Sequence, residues 1–161
     1  SLMPTNLYGP GDNYHPKNSH VMASLIKKFY YASKESLPMV TCWGTGKPYR
    51  EFLHVDDLGE AVLFSLENWD PNLDNAPSDK YGNKVSLLNV GSGIEITIKD
   101  LAYKISKLLN YKGNIEWDKS KPDGTPRKKL NCKKINNLGW YPKISLDEGI
   151  LQTAKDLSNK Y

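Results

Sequence analysis

Five residues that break regular structure, Pro4, Gly9, Pro10, Gly11 and Pro16, fall within the seventeen positions from Pro4 to His20. No helix survives that spacing, because proline lacks a backbone donor and glycine carries a high entropic cost of ordering. The same stretch holds three Asn, two His, one Asp and two Tyr, and a loop this polar and chemically varied reads as functional. Leu2 to Tyr8 reads as the end of a buried strand feeding that loop. The chain is therefore expected to start mid-fold.

Downstream, apolar periodicity alternates between helical and extended spacing. Val21, Leu25, Ile26, Phe29 and Tyr30 predict a helix over about residues 20–34. Met39 to Trp43 and Tyr49 to Val55 predict strands around the turn at Gly44-Thr-Gly-Lys-Pro48. Asp57 with Glu60 predicts a helix start, with Leu58, Ala61, Val62, Leu66 and Trp69 turned inward. Residues 70–84 are polar and turn-rich and read as a surface loop before a strand at Val85 to Val90. Thr97-x-x-Asp100 and Ser145-x-x-Glu148 each open a helix, the first turning Leu101, Ile105 and Leu108 inward, the second Leu146, Ile150, Thr153, Ala154 and Leu157. Asn114 to Asp118 reads as a short strand and KPDGTPRK as a loop. Alternating strands and helices predict an α/β fold.

Composition narrows the chemistry. With 161 residues, 39% apolar and 25% charged, the chain has the make-up of one globular domain. No apolar run approaches the ~18–20 residues of a membrane span, and a cytoplasmic, membrane-free protein is the expectation. Cys42 and Cys132 lie ninety positions apart without a CxxC, and His15, His20 and His54 lack ligand spacing. Free thiols and no metal are expected. The net charge of +4 suggests an anionic partner, with eight basic residues between Lys112 and Lys134 set against Glu116, Asp118 and Asp123. No nucleic-acid-binding motif accompanies them, so nucleic acid is not expected, whereas a diphosphate is readily accommodated. Only Arg50 and Arg127 among the 22 basic residues are arginines. Such a bias fits Arg kept for two-pronged grips on phosphate or carboxylate, and chance gives it equally well.

Glycine fingerprints argue by omission. Gly44 and Gly46 run into Lys-Pro-Tyr, and Gly91-Ser-Gly93 into Ile-Glu-Ile. Neither is the G-x-G-x-x-G turn that seats a dinucleotide diphosphate.

Five blocks in order, PTNLYGPGDNYHPKNSHV, WGTGKPYREFLHVDDL, LLNVGSG, SKPDGTPRKKL and LGWYPKISLDEGI, cover nearly the whole chain outside residues 70–84. They resemble the GDP-L-fucose synthases, nucleotide-sugar epimerase/reductases of the extended short-chain dehydrogenase/reductase family. REFLHVDDL and NVGSG are shared widely in that superfamily, while NYHPKNSH and KPDGTPRK single out the fucose synthases. The resemblance implies the carboxyl-terminal portion, residues 1–161 being mainly a substrate-binding domain plus the closing elements of a Rossmann-like nucleotide fold. It implies a parent that epimerises GDP-4-keto-6-deoxy-D-mannose at C3 and C5 and then reduces C4 with NADP(H). The parent is expected to be a homodimer, and the chain to self-associate through an exposed first strand.

Residue by residue, the resemblance implies cofactor contacts at Pro4, Thr5, Asn6, Leu7 and His20. It makes His20 the acid of epimerisation, which a loop imidazole suits chemically although most loop histidines are solvated bystanders. Substrate contacts are implied at Lys28, Trp43, Arg50 and Asp123. A strand Trp43 equally suits a core position, and Asp123 equally serves its Pro-Asp-Gly turn. Lys28 stands where relatives often carry Arg, Met22-Ala-Ser24 replaces a typical Ile-Pro-Ala, and Tyr49 replaces a Met that neighbours the pocket. The pairs Tyr30/Lys34 and Tyr103/Lys107 mimic the family's Tyr-x-x-x-Lys, yet they follow PTNLYG where the family's pair precedes it. They read as ordinary helix-surface spacings, and the isolated chain is expected to lack reductase activity. Two other readings remain, a different nucleotide-sugar epimerase/dehydratase of the superfamily and a noncatalytic sugar-nucleotide binding module.

Overall fold

The computed structural model describes residues 1–16 and 18–160. Where the apolar run predicts one strand over Leu2 to Tyr8, two form: β1 (Leu2–Pro4) and β2 (Asn6–Tyr8). Strand β1 lies parallel to β5 (Leu88–Val90), and β2 parallel to β4 (Tyr49–His54). Pro4 has no N–H with which to continue a ladder. Thr5 makes the transfer, its N–H donating to Val90 O at 2.9 Å and its hydroxyl to Glu51 O at 3.2 Å. The chain thereby steps from one sheet to the next just before the loop.

Helix α1 (Val21–Lys34) buries Met22, Ala23, Leu25, Ile26, Phe29 and Ala32, as its periodicity predicts. Strand β3 (Met39–Trp43) alternates, burying Val40 and Cys42, and runs parallel to β7 (Asn114–Asp118). Helix α2 (Val55–Asn68) begins two residues before the predicted Asp57, because His54 ends β4 and caps the helix, its Nδ1 accepting the Asp56 N–H at 3.3 Å. Its inward stripe is Asp57, Ala61 and Ser65, at spacings of four. Asp57 fixes that rotation by accepting the N–H groups of Lys143 at 2.9 Å and Ile144 at 3.1 Å. Val62 and Leu66, expected inward, are 42% and 79% exposed. Ala61 is buried and Leu58 and Trp69 pack against the smaller core as expected, so apolarity named the right helix and misplaced two of its five inward residues.

Strand β5 is shorter than predicted, and two strands escape the sequence pattern. These are β6 (Glu95–Thr97), antiparallel to β4, and β8 (Arg127–Lys128), parallel to β4 within the predicted KPDGTPRK loop. The short α4 (Lys133–Asn137) escapes it too. Both helix-opening motifs form. The Thr97 hydroxyl accepts the Asp100 N–H at 2.9 Å and opens α3 (Ile98–Leu108); Ser145 Oγ accepts the Glu148 N–H at 3.2 Å before α5 (Leu146–Lys160). Residues 70–84 contain no helix or strand, and Asp79 holds their turn by accepting the N–H groups of Tyr81 and Asn83.

The result is mixed α/β with mainly parallel pairing, built on two cores. The larger joins α1, α3 and α5 to β3 and one face of β4 through Phe29, Ile26, Phe52, Ile105, Ile150 and Leu157. The smaller gathers Leu53, Ala61, Leu88, Val90, Ile135 and Trp140. Strand β4 serves both, since alternate side chains point to opposite faces. No helix among the described residues is long and apolar enough to cross a membrane.

Candidate active-site cleft

The β1–β2 step, the N-terminus of α1 and the middle of β4 enclose a cleft of about 550 Å³ lined by Thr5, Asn6, Leu7, His20, Arg50 and Phe52, with Ser19, Val21 and Met22 beside them. The structure thus brings together residues that lie up to 47 positions apart, Thr5 to Phe52. Pro4 is not among the lining residues; it ends β1 against Val90.

Thr5 and Asn6 have their side chains turned back onto β4, Asn6 Nδ2 donating to Glu51 O at 2.8 Å beside the Thr5 hydroxyl. Their backbone is thereby fixed at the cleft floor. His20 is exposed and occupies the N-cap of α1 with its side chain making no capping bond, while its carbonyl accepts the Ser24 N–H at 2.9 Å. The imidazole is left available to the cleft. Asp12 lies within electrostatic reach of it: burial pushes the Asp12 carboxyl up from its usual range, partly offset by the Asn13 N–H and by the charge of His20. The backbone around Asp12 is strapped to α5, with Gly11 N–H donating to Asp156 and the buried Tyr14 hydroxyl to Thr153 O.

The two arginines divide in role. Arg127 grips Glu95 with two bonds, Nε to Oε1 at 2.7 Å and Nη2 to Oε2 at 2.6 Å, the planar fork meeting a carboxylate. Arg50 reaches the cleft, donates to its neighbour's carbonyl at Tyr49 (2.7 Å), and forms no ion pair among the described residues. Tyr49 is exposed and, by strand alternation, lies on the face opposite Arg50.

Beyond Arg50 the remaining predicted contacts continue as a strip. A Cβ built on Gly124 would lie 3.7 Å from Arg50 Nη2, so the Pro-Asp-Gly turn abuts the guanidinium. Asp123 spends both oxygens on Thr45, at 2.5 Å to its N–H and 2.6 Å to its hydroxyl, and these bonds hold its carboxyl below the usual range. It ties the glycine turn of residues 44–47 to the KPDGTPRK segment. Trp43 is 63% exposed, which rules out the core position open to a strand Trp. Lys28 Nζ at 5.9 Å and Lys121 Nζ at 5.7 Å from its ring centroid steady the indole, each contact contributing about 0.5–1 kcal/mol at an exposed site. Lys28 also donates to Thr41 O at 2.8 Å. The pairs Tyr30/Lys34 and Tyr103/Lys107 sit on α1 and α3 outside the cleft lining, Lys34 lying over the Tyr30 ring.

Sequence reasoning missed Glu51, wholly buried behind the cleft. The signal was there: a carboxylate inside the otherwise apolar run after Arg50. It also missed the paired environment of Cys132, whose thiol is pushed up to about 11 by burial and then by the Glu51 charge, with Lys129 opposing. An unfolded thiol, near 9.0, ionises first, so this group lowers stability as pH rises from about 9 to 11. Alkylation of Cys132 by iodoacetamide at pH 8 is expected to be far slower than in the urea-unfolded chain, as read by mass spectrometry; equal rates contradict the burial.

Residues 1–76 match the model of the NAD dependent epimerase/dehydratase family. The mixed α/β fold with mainly parallel strand pairing agrees with that match. Its sequence is similar to those of GDP-L-fucose synthases. It is 47% identical over 155 residues to the probable GDP-L-fucose synthase 1 of Oryza sativa subsp. japonica, covering 96% of this chain and 43% of that protein. It is 47% identical over 161 residues to the GDP-L-fucose synthase of Escherichia coli K12, covering 95% and 46%. Among solved structures, a GDP-6-OMe-4-keto-L-xylo-heptose reductase from C. jejuni superposes with a TM-score of 0.86 at 28% identity over 99% of this chain and 53% of the other. An NADP-bound GDP-L-fucose synthetase from Naegleria fowleri superposes with a TM-score of 0.81 at 26% identity over 99% and 46%. The chain spans somewhat under half the length of the curated relatives it matches.

Proposed function

We propose that this chain forms the sugar-nucleotide side of a GDP-L-fucose synthase active site, in which a GDP-4-keto-6-deoxymannose is epimerised at C3 and C5 and reduced at C4. One observation carries the reading: Thr5 to Leu7, His20 and Arg50 line a single cleft, and the Asp123–Gly124 turn abuts the Arg50 guanidinium at its edge. Residues 1–161 act mainly as the substrate-binding domain, with the smaller core as closing elements of a nucleotide fold.

His20 stands at the cleft rim as the group that returns a proton to a carbon beside the ketone, after a base on the opposite ring face has removed one. Arg50, with no carboxylate partner among the described residues, receives the diphosphate, and its fork matches two phosphate oxygens. Lys28 adds positive charge next to Trp43, whose open face packs against the ligand, while Asp123 holds the strip in place.

The uncharged floor of Thr5, Asn6 and Leu7 beside buried Phe52 fits a neutral nicotinamide ring better than a phosphate. NADP(H) bound there supplies the hydride for C4. With no G-x-G-x-x-G turn in the sequence, this chain holds none of the cofactor diphosphate in that manner. Alone the chain is expected to be inactive, with no NADPH-dependent reduction of a 4-keto GDP-sugar. The second edge of β1 has no strand partner among the described residues, which supports self-association through it.

Calorimetric titration of the chain with GDP and UDP tests the reading. Saturable GDP binding, tighter than UDP binding, is expected. Preference for UDP favours another member of the superfamily, and absence of both interactions removes the proposed site.

A further inference from the structure

Glu51 is charged where the strand pattern has no place for charge. Its side chain is wholly buried, with Phe52, Leu53 and His54 buried after it. A carboxylate only accepts hydrogen bonds, and here both oxygens are used. Oε1 accepts the Gly93 N–H at 2.7 Å and Oε2 the Leu130 N–H at 2.9 Å. Its own carbonyl accepts from the Thr5 hydroxyl and from Asn6 Nδ2. Three separate segments therefore converge on this one residue of β4: the β1–β2 step, the Gly91–Gly93 turn, and the strap that carries Lys121, Asp123 and Lys128. Gly91 permits the approach, since a Cβ there would collide with Glu51 Oε1. In the ion pairs of the described residues the neighbouring Arg127 and Lys129 both reach Glu95 instead. Glu51 is thus satisfied by backbone amides from loops and not by a cation.

We propose that Glu51 is the positioning residue of the cleft, fixing the strap and the Gly91–Gly93 turn against β4 so that Arg50, the adjacent residue on that strand, faces the Asp123–Gly124 turn at the spacing a GDP diphosphate requires. The inference rests on the function proposed above. A carboxylate is needed because two inward N–H donors arrive from different loops, and a buried donor left unpaired costs more than an ordinary hydrogen bond contributes. Glutamine has the same shape but offers an NH₂ where one of those donors points, so one link is lost and two donors face each other.

The test compares the chain with its Glu51→Gln and Leu130→Pro variants, using GDP as the probe in calorimetry and amide hydrogen exchange as the structural readout. Leu130→Pro deletes the N–H that Oε2 accepts while leaving Glu51 in place. In Glu51→Gln the amides of Gly93 and Leu130 are expected to exchange about 10-fold faster, Phe29 in α1 to stay protected, and GDP affinity to fall about 10-fold. Leu130→Pro should weaken GDP in the same direction. Unchanged GDP affinity with the two amides released overturns the positioning role. So does unchanged exchange at both, or equally accelerated exchange at Phe29, which makes Glu51 a determinant of overall stability. If the unsubstituted chain fails to bind GDP, the proposed function fails and with it the assignment of Glu51 to a GDP cleft, while the exchange data still judge the local pinning.

Discussion

Replacing His20 by glutamine is expected to lower product formation from a 4-keto GDP-sugar by about 10²-fold or more, the scale of a lost general acid or base. The prediction applies where the chemistry is complete, for instance with residues 1–161 replacing the corresponding segment of the E. coli relative. Its motivation is geometric. His20 sits at the N-cap of α1, spends no side-chain bond on capping, and opens onto the same cleft as Arg50. Glutamine retains size and polarity but cannot deliver a proton at neutral pH. GDP affinity should therefore stay within about twofold, because hydrogen bonding to the nucleotide is not the role assigned to the imidazole. Solvent deuterium incorporation into the sugar should fall together with NADPH consumption. A variant turning over at the parental rate removes His20 from the catalytic assignment and leaves the cleft as a binding site.

Arg50→Ala should show the opposite split. Loss of a charge-assisted grip on the diphosphate is expected to weaken GDP about 30-fold, roughly 2 kcal/mol, in calorimetry on the chain itself. Arg50→Lys should recover only part of this, since an ammonium keeps the charge and loses the fork. Stability should change little, because among the described residues the guanidinium makes no ion pair and donates to the Tyr49 carbonyl of its own strand. Arg127→Ala is the control. That guanidinium is committed to Glu95, and GDP affinity should remain near the unsubstituted value; a loss as large as that of Arg50→Ala would show that the two arginines had been assigned the wrong way round.

Local rules carried much of the architecture. Helices α1, α3 and α5 follow from apolar spacing with Thr97 and Ser145 at their starts, and β3 and β7 from short apolar runs bounded by turns. The loop from Gly9 to His20 was legible because proline and glycine act on their own backbone. The proposed residue roles rest on the resemblance of five sequence blocks, while the fold brings Thr5 to Leu7, His20 and Arg50 to one cleft and leaves Pro4, Lys28, Trp43 and Asp123 outside its lining.

What a window of sequence could not determine depended on partners far along the chain. Strand β1 parts from β2 because Val90 and Glu51 accept from Thr5 across 85 and 46 positions. Helix α2 turns Asp57 inward and leaves Leu66 outside because two amides near Lys143 need an acceptor, a demand invisible from residues 55–68 alone. Asp123 is engaged by Thr45, Trp43 stays exposed between two lysines, and Glu51 is buried because loops from both directions bring it their N–H groups. Sequence determined where the backbone bends and which stretches coil, since those energies are local; tertiary structure decided which polar groups are buried, since a hydrogen bond needs both of its partners in place.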